Sequence, residues 1–420
     1  MMSGSGVSRG RRTRSRGTRD SRRRATWALD VAAKARRSLP ETGIGHGWEA
    51  TAIMALTAAL LLFGLLTLHS ASSVMAQRGD LPHYHYVARQ GIGVAIGIVL
   101  MVTCARIPSL WWRRFAHHIL AGAVVLLVIV ILPFTEAIAP TVNGARRWLR
   151  VGVTFQPSDL AKLAVVVWTA ALAVRKQPLM RNMRRGLAPF LVGWVLVLVP
   201  VALEPDLSTA CLIVAVAMSI VFVAGARVGH FVVLAVACVP LVGPLLLSGY
   251  RGARWESLLL DPGTIPDGSA FQSYQSLVAI GSGGVTGVGF GEGQQKFGFL
   301  PESHNDFIFA MIGEEWGLVG TVAVILAFLA MIVLGFRIAR RARDTFGELL
   351  AVGISSLIGF QAFLHIGVGL GVMPATGLSL PFISYGRSNL VAMLAAVGIL
   401  LAVAREAPGC EMRRTAEGTG

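Results

Sequence analysis

Charged residues are scarce in this sequence. Only 14% of its 420 residues are Asp, Glu, Lys or Arg, whereas a soluble domain carries about 25%. Hydrophobic residues make up 54% of the chain and form continuous runs long enough to cross a bilayer. The low charge excludes a soluble globular enzyme, and the lack of an alternating pattern excludes a transmembrane β-barrel. We therefore predict an all-α integral membrane protein.

Cysteine is also rare. The four cysteines lie far apart and form neither a CxxC pair nor a Cys/His group: Cys104, Cys211, Cys238 and Cys410. This spacing excludes a disulfide framework and a zinc site. We expect the four side chains to be ordinary apolar residues or free thiols.

Acidic residues are outnumbered, with 22 Asp and Glu against 38 Lys and Arg. Twelve of the basic residues lie between Arg9 and Arg37, in a polar stretch whose composition is typical of a disordered arm. The stretch has no apolar core or cleavage site, which excludes a signal peptide. It also lacks the aromatic interleaving of single-strand binders, so we expect no nucleic-acid partner and favour contact with anionic lipid.

The apolar runs predict ten transmembrane helices. They cover residues 49–70, 87–105, 115–134, 157–175, 187–203, 207–225, 229–248, 306–337, 348–372 and 385–404. Residues 1–47 are then a basic cytoplasmic arm, and the arginines after spans two, four and eight fall on the same side of the membrane. The membrane domain covers residues 48–405, with a large extracytoplasmic loop at 249–305, and residues 406–420 form a cytoplasmic tail.

The start of the eighth span is unusually acidic. Asp306 follows a polar, glycine-rich segment and precedes an apolar run, and Glu314 and Glu315 lie about two turns deeper. Ionisable groups inside a bilayer are costly, so they indicate a function. Capping of the helix would explain Asp306 but not the other two acids. We therefore predict a functional site around Asp306.

Other polar residues enter the membrane at the same predicted face. They lie at the outer ends of even-numbered spans and comprise Arg89, Asp159, Lys162, Asp206, Ser384 and Tyr385. Each has an ordinary explanation, such as an interfacial anchor, an i,i+3 ion pair or a helix cap. Their coincidence at one face predicts a polar, mixed-charge cavity that opens to the outside.

Three arginines are exceptions to the positive-inside rule. Arg146, Arg147 and Arg150 lie in the predicted outer loop before the fourth span. Guanidinium groups bind phosphate in a bidentate fashion. Anchoring to lipid headgroups, together with Trp148, explains any single one of them equally well.

The dense glycines of residues 279–291 suit a tightly folded loop near a ligand. A nucleotide-binding site is not indicated, because the segment lacks the strand–turn–helix context of such a site.

Six motifs are together highly specific: NGARRWL at 143–149, QPSDLAK at 156–162, EPDLSTA at 204–210, AIGSGGVTGVGFG at 279–291, QQKFGFLPESHNDFIFAMIGEEWGLVG at 294–320 and LPFISYG at 380–386. They resemble the shape, elongation, division and sporulation (SEDS) family of membrane peptidoglycan glycosyltransferases. The resemblance extends over residues 45–405. The NGARRW and EPD motifs and the basic arm resemble the cell-division branch of the family more than its rod-elongation branch.

The resemblance implies a ten-helix fold similar to GT-C-type membrane glycosyltransferases. It implies polymerisation of lipid II into glycan strands at the outer face of the bacterial cell membrane, at the division septum. It further implies a class B penicillin-binding transpeptidase and division proteins as partners. Asp306 would be catalytic, and the other motif positions would bind substrate or pyrophosphate or form an activating ion pair: Arg89, Arg146, Arg147, Asp159, Lys162, Asp206, Glu302, His304, Ser384 and Tyr385.

The chemistry of this reaction fits the residue types. The 4-hydroxyl of one lipid-linked disaccharide attacks C1 of another, and undecaprenyl pyrophosphate leaves as an anion. Cations can stabilise that anion, so one general base suffices, and we assign Asp306 to this role with inversion at C1. The candidate cations are Arg89, Arg146, Arg147 and Lys162. The pyrophosphate oxygens would also suit a divalent cation, Mg²⁺ or Mn²⁺, although no sequence motif identifies a metal site.

The sequence departs from the family pattern at three positions. Asp159 stands where the family usually has Glu, and Arg387 and Asn389 replace small residues after the last motif.

The sequence leaves three alternative functions open. A rod-elongation paralogue would share the chemistry. A lipid II flippase would use a similar outer vestibule, but the polar residues cluster at one face and no pair of interrupted helices is evident. An inactive scaffold would leave the charge cluster unexplained.

Overall fold

The computed structural model describes residues 47–141, 145–247 and 269–407. Several predictions lie outside these residues. They concern the basic arm up to residue 46, the start of the NGARRWL motif, the last residue of the predicted span 229–248, residues 249–268 of the predicted outer loop, and the tail from residue 408.

Eleven α-helices and one β-hairpin make up most of the described chain. The helices are α1 (Trp48–Arg78), α2 (His85–Arg106), α3 (Ser109–Ile131), α4 (Pro157–Lys176), α5 (Ala188–Leu203), α6 (Leu207–Val223), α7 (Val228–Leu247), α8 (Ser269–Gly283), α9 (Ile308–Arg340), α10 (Thr345–Gly369) and α11 (Arg387–Arg405). The hairpin pairs β1 (Leu149–Val151) with β2 (Val153–Phe155) in antiparallel register. Short 3-10 helices cover Gln177–Leu179 and Gln295–Phe297, and a π-helical turn covers Met183–Leu187.

Ten of these helices coincide with the ten predicted spans to within a few residues at most ends, and the exception is α8, which lies in the predicted outer loop. Eight described helices are long and apolar enough to cross a membrane, and α6 is a shorter apolar helix of 17 residues. The remaining predicted span, 229–248, coincides with α7. The prediction of an all-α, multi-pass membrane protein is confirmed.

The centre of the bundle is formed by α4, α10 and α11, whose apolar segments are more completely buried than those of the other candidate spans. Several buried polar residues lie on these helices, including Asp159, Lys162 and Gln361. Polar groups on them therefore face protein rather than lipid. That is the arrangement in which hydrogen bonds can offset the cost of removing them from water.

The helix α9 is interrupted at Gly317, whose φ and ψ of 61° and −157° are not helical. A continuous helix would pair the N–H groups of Leu318 and Val319 with the carbonyls of Glu314 and Glu315. The break separates these partners within an apolar helix, where no water can replace them. This interruption was not predicted from the sequence, although glycine is a poor helix former and Gly313, Gly317 and Gly320 lie at or near the break.

The glycine-rich segment 283–289 supplies the missing hydrogen bonds by crossing the break. Its backbone replaces all four lost partners: Leu318 N to Gly284 O at 3.0 Å, Val319 N to Val285 O at 3.1 Å, Val288 N to Glu314 O at 3.0 Å and Gly289 N to Glu315 O at 3.2 Å. The glycines of this motif therefore allow one backbone to lie directly against another. The loop is tightly folded, as predicted, and its contacts are with α9.

Gly287 is a position in this crossing that leaves no room for a side chain. Its φ is +83°, and a Cβ atom there would overlap the carbonyl of Glu315. We expect Gly287→Ala to destabilise the protein by more than ~1–2 kcal/mol, the cost of a left-handed alanine alone. Thermal unfolding in detergent measures the loss. Gly281→Ala is the matched control, because the space beside this helical glycine is open. Equal melting temperatures for the two variants would contradict the assigned role.

The two acids that follow Asp306 hold the predicted outer loop to this crossing. Glu314 accepts a hydrogen bond from the backbone N–H of Gln294 at 2.7 Å. Glu315 forms a buried ion pair with Lys296 at 3.3 Å and accepts a hydrogen bond from the hydroxyl of Ser70 on α1. Both acids therefore make structural contacts. The sequence alone did not show whether these acids were structural or catalytic.

Candidate functional site

A strained turn presents Asp306. Glu302 has a φ of 53°, an uncommon value for a residue with a side chain, and its carbonyl accepts hydrogen bonds from the N–H groups of Asn305 and Asp306, each at 3.0 Å. The first residue of α9 is Ile308, and its N-cap position is occupied by Phe307. Asp306 thus precedes the cap position, and its side chain is half-buried. Backbone strain of this kind is often found at functional sites.

The loop before α11 packs against this turn. The Ser384 hydroxyl donates to the carbonyl of Asn305 at 2.9 Å, and the Tyr385 N–H donates to the carbonyl of His304 at 3.1 Å. The Ser379 hydroxyl lies 3.3 Å from the Asn305 side-chain oxygen. The predicted site residues Ser384 and Tyr385 therefore lie directly beside the segment that carries Asp306.

The start of α2 completes this part of the site. The buried Gln90 amide donates to the carbonyl of Ser384 at 3.0 Å and accepts from the N–H of Gly386 at 3.3 Å. Its neighbour Arg89 is exposed. Within the described ranges Arg89 makes no hydrogen bond or ion pair, so its guanidinium group is available to an anion. Gln90 is a positioning residue that the sequence analysis did not single out.

Three aromatic rings from separate segments meet here. The ring centroids of Tyr86 and His304 are 5.3 Å apart, those of Tyr86 and Tyr385 are 5.4 Å apart, and those of His304 and Tyr385 are 5.6 Å apart. Burial lowers the pKa of the His304 imidazole, while the nearby Glu302 carboxylate acts in the opposite direction. His304 is therefore neutral at pH 7 and contributes an uncharged ring.

Lys162 is the centre of a buried polar network. Its ammonium nitrogen lies 2.8 Å from Asp159 Oδ1, 3.1 Å from Gln361 Oε1 and 3.1 Å from Asn389 Oδ1. An ammonium group has three donors, and these three acceptors use all of them. The expected Asp159–Lys162 ion pair is present. Contact between Lys162 and pyrophosphate would require the loss of one of these bonds.

The same network reaches the Asp306 turn through Gln361. Its amide donates to the carbonyl of Ser379 at 2.7 Å and to Asn389 Oδ1 at 2.9 Å. Ser379 in turn contacts Asn305, next to Asp306. Gln361 was not predicted as a site residue, although a lone amide within an apolar span indicates a polar contact between helices.

Asp206 acts as the predicted helix cap. Its carboxylate accepts from the backbone N–H and the hydroxyl of Thr209, at 3.1 and 2.8 Å, and also from the amide of Gln156 at 3.2 Å. The backbone N–H of Gln156 donates to the hydroxyl of Ser388 on α11 at 2.9 Å. Asp206 thereby ties the start of α6 to the starts of α4 and α11.

Arg147 and Arg146 already have partners in the protein. Arg147 donates to the carbonyls of Glu204 and Pro205, both at 2.8 Å. Arg146 forms an ion pair with the exposed Glu136. The role of either arginine at pyrophosphate stays a prediction, and it would require rearrangement of these contacts, whereas Arg89 needs none.

Glu204 was not identified from the sequence. Its side chain is fully buried, and within the described chain neither carboxyl oxygen has a hydrogen-bond partner. Burial raises the pKa of Glu204 to about 8, the Asp206 carboxylate adds to this rise, Arg147 opposes it and Asp159 adds to it. Glu204 is therefore largely protonated at pH 7, which keeps it from adding negative charge beside Asp206.

The described residues contain no group of three or more His, Cys, Asp or Glu side chains that could hold a metal ion. This donor set does not fit a metal ion held by the protein alone. A divalent cation would take most of its ligands from substrate phosphate and water.

The fold thus brings Asp306, Glu302, His304, Ser384 and Tyr385 together with the start of α2. A second group, around Lys162 and Asp206, lies at the starts of α4, α6 and α11 and is joined to the first through Gln361. The sequence predicted one cluster at a common face, and the structure divides it into two hydrogen-bonded groups.

Comparisons with known proteins agree with this architecture. A sequence model of the cell cycle protein family named FtsW/RodA/SpoVE matches residues 50–408. A probable peptidoglycan glycosyltransferase FtsW of Geobacter metallireducens is 39% identical over 358 residues, which are 85% of this chain and 95% of the relative. Stage V sporulation protein E of Bacillus subtilis is 38% identical over 355 residues, 84% of this chain and 96% of that protein.

A solved structure is also similar. It is a chain from work on the structural coordination of polymerization and crosslinking by a peptidoglycan synthase complex, and it superposes with a TM-score of 0.69 and 28% identity. The alignment covers 85% of this chain and 97% of that one. The protein therefore belongs to the FtsW/RodA/SpoVE family of cell cycle proteins, the SEDS family that its motifs indicate.

Proposed function

We propose that this protein is an inverting peptidoglycan glycosyltransferase that polymerises lipid II at the outer face of the cell membrane during septal wall synthesis. The observation that supports it most is the position of Asp306. This carboxylate lies on a strained turn that the loop before α11 holds by hydrogen bonds, and α2, which is hydrogen-bonded to that loop, carries the unpaired Arg89. A group of three aromatic rings includes His304 of the turn. Such a site offers a base, a cation and an apolar surface to one substrate.

In the proposed reaction, Asp306 accepts the proton of the acceptor 4-hydroxyl while that oxygen forms a bond to C1 of the donor. The bond between C1 and the pyrophosphate oxygen breaks, and undecaprenyl pyrophosphate carries away the electron pair. Arg89 stabilises the negative charge of the leaving group. The network around Lys162 positions the loop that supports Asp306 rather than contacting the substrate.

The test is polymerisation of synthetic lipid II by the purified full-length protein in proteoliposomes, alone and with a class B penicillin-binding transpeptidase. Glycan strands with release of undecaprenyl pyrophosphate would support the proposal. Transfer of lipid II across the vesicle membrane without any polymer would instead identify a flippase and contradict it. The absence of both would leave an inactive scaffold.

Arg89 is the cation for which we expect the largest effect on substrate use. A charge-assisted hydrogen bond contributes about 1.5–3 kcal/mol, so we expect Arg89→Gln to raise the KM for lipid II by about tenfold to a hundredfold. Steady-state polymerisation rates measure this change. Arg340→Gln, at the opposite end of α9, is the control and should leave KM unchanged. If neither KM nor kcat changes in Arg89→Gln, Arg89 is an interfacial anchor and not a substrate-binding residue.

The cellular context is part of the same proposal. The relatives named FtsW support a division role, and the similar synthase complex supports a class B transpeptidase as partner. We expect a fluorescent fusion to gather at the division septum. Cysteine labelling from each side of the membrane should place both termini in the cytoplasm. Uniform fluorescence along the side wall would favour the rod-elongation branch.

A further inference from the structure

The aromatic group Tyr86, His304 and Tyr385 lies at a place where core packing does not explain it. Tyr86 belongs to none of the buried hydrophobic clusters, and Tyr385 packs only against the edge of one. Tyr86 and Tyr385 are half-exposed, whereas His304 is buried. The group therefore presents aromatic surface outward rather than filling the interior.

This surface is held next to the proposed base. The backbone N–H of Tyr385 donates to the carbonyl of His304, and His304 precedes Asp306 by two residues. Tyr86 comes from α2, whose Gln90 is hydrogen-bonded on both sides of Tyr385. Three chain segments thus hold the rings at a defined position relative to Asp306.

The unpaired cation lies on the same helix face as Tyr86. Arg89 follows Tyr86 by three residues, a spacing that places two side chains on one face of a helix, ~4.5 Å apart along its axis. In a sugar pyrophosphate the ring and the first phosphorus are joined through a single oxygen. A ring at Tyr86 would therefore place its phosphate near Arg89.

Pyranose rings and aromatic rings are complementary. The C–H bonds on one face of a sugar carry a small positive charge, and the face of an aromatic ring carries a negative one. On the basis of the proposed function, we propose that Tyr86, with His304 and Tyr385, forms a stacking subsite for the sugar ring that carries the pyrophosphate. Tyr86 is then a substrate-binding residue, and it determines where C1 lies relative to Asp306.

The test compares three variants of the full-length protein in proteoliposomes with synthetic lipid II. Tyr86→Leu removes the ring, Tyr86→Phe keeps it, and Tyr84→Leu removes an exposed tyrosine two residues away as the matched control. We expect Tyr86→Leu to raise KM by about threefold to tenfold. Tyr84→Leu should remain within about twofold of wild type, and Tyr86→Phe should have a KM well below that of Tyr86→Leu. If Tyr86→Leu does not fold, Tyr86→Met takes its place.

A soluble disaccharide pyrophosphate without the long lipid provides a second measurement. It should inhibit the wild type and Tyr86→Phe, and its inhibition constant should rise with KM in Tyr86→Leu. A fall in kcat at constant KM and constant inhibition would indicate a structural role and overturn the subsite. An inactive wild type would instead refute the proposed function, so the two failures are distinguishable.

Discussion

Asp306→Asn is expected to lower the rate of glycan polymerisation by a factor of about 10²–10⁴, the usual contribution of a general base. Asparagine has nearly the same shape as aspartate, but it cannot accept the proton of the attacking hydroxyl. The backbone hydrogen bonds of the turn, from the N–H groups of Asn305 and Asp306 to the carbonyl of Glu302, should persist. The measurement is the initial rate of polymer formation from lipid II, with thermal unfolding as the check of the fold.

Asp344→Asn is the matched control for this change. Asp344 caps the start of α10 by accepting from the N–H of Gly347 at 2.9 Å, and asparagine caps equally well. We expect normal activity and normal stability from this variant. Long glycan strands made at the wild-type rate by Asp306→Asn would remove Asp306 from the mechanism.

Lys162→Met is expected to cause the largest loss of stability. The substitution keeps most of the apolar volume but leaves the Asp159 carboxylate buried without its cation, along with two amide oxygens that lose a donor. Breaking a buried ion pair in this way costs about 3–5 kcal/mol. Unfolding of the purified protein in detergent, by heat or by added dodecyl sulfate, measures the change.

The double variant Asp159→Asn with Lys162→Met tests the cause. Removing both charges leaves no buried ion, so we expect the double variant to be more stable than Lys162→Met alone. Lys176→Met, at the other end of α4, is a control for the loss of a lysine from the same helix. A double variant that is less stable than Lys162→Met would show that the two charges do not depend on each other.

Much of the candidate site could be predicted from the sequence because the membrane restricts where charge can lie. Asp306, Arg89 and Lys162 stand out in apolar surroundings, and the predicted topology puts them at one face. The partners of each charge could not be predicted. Lys162 is paired with Asn389, which is 227 residues away, and local spacing contains no information on such contacts.

The same limit applies to the acids of α9. In the sequence, Asp306, Glu314 and Glu315 are three acids close together, and nothing there separates their roles. The interruption at Gly317 and the crossing of segment 283–289 place the two glutamates among backbone N–H groups, Ser70 and Lys296. The two glutamates act as structural acceptors because of how the backbone crosses at the break in α9. The residue types in the sequence do not predict that crossing.

The sequence by itself determined that this protein crosses the membrane many times, where its helices lie and which residues are chemically unusual. Hydrophobicity and charge are local properties, and a bilayer separates them along one axis. Only the tertiary structure decided which cations are already neutralised, which acid is presented on a strained turn and which rings meet beside it. Those outcomes depend on pairings between distant segments, because every buried polar group must find its partner wherever the fold brings one within reach.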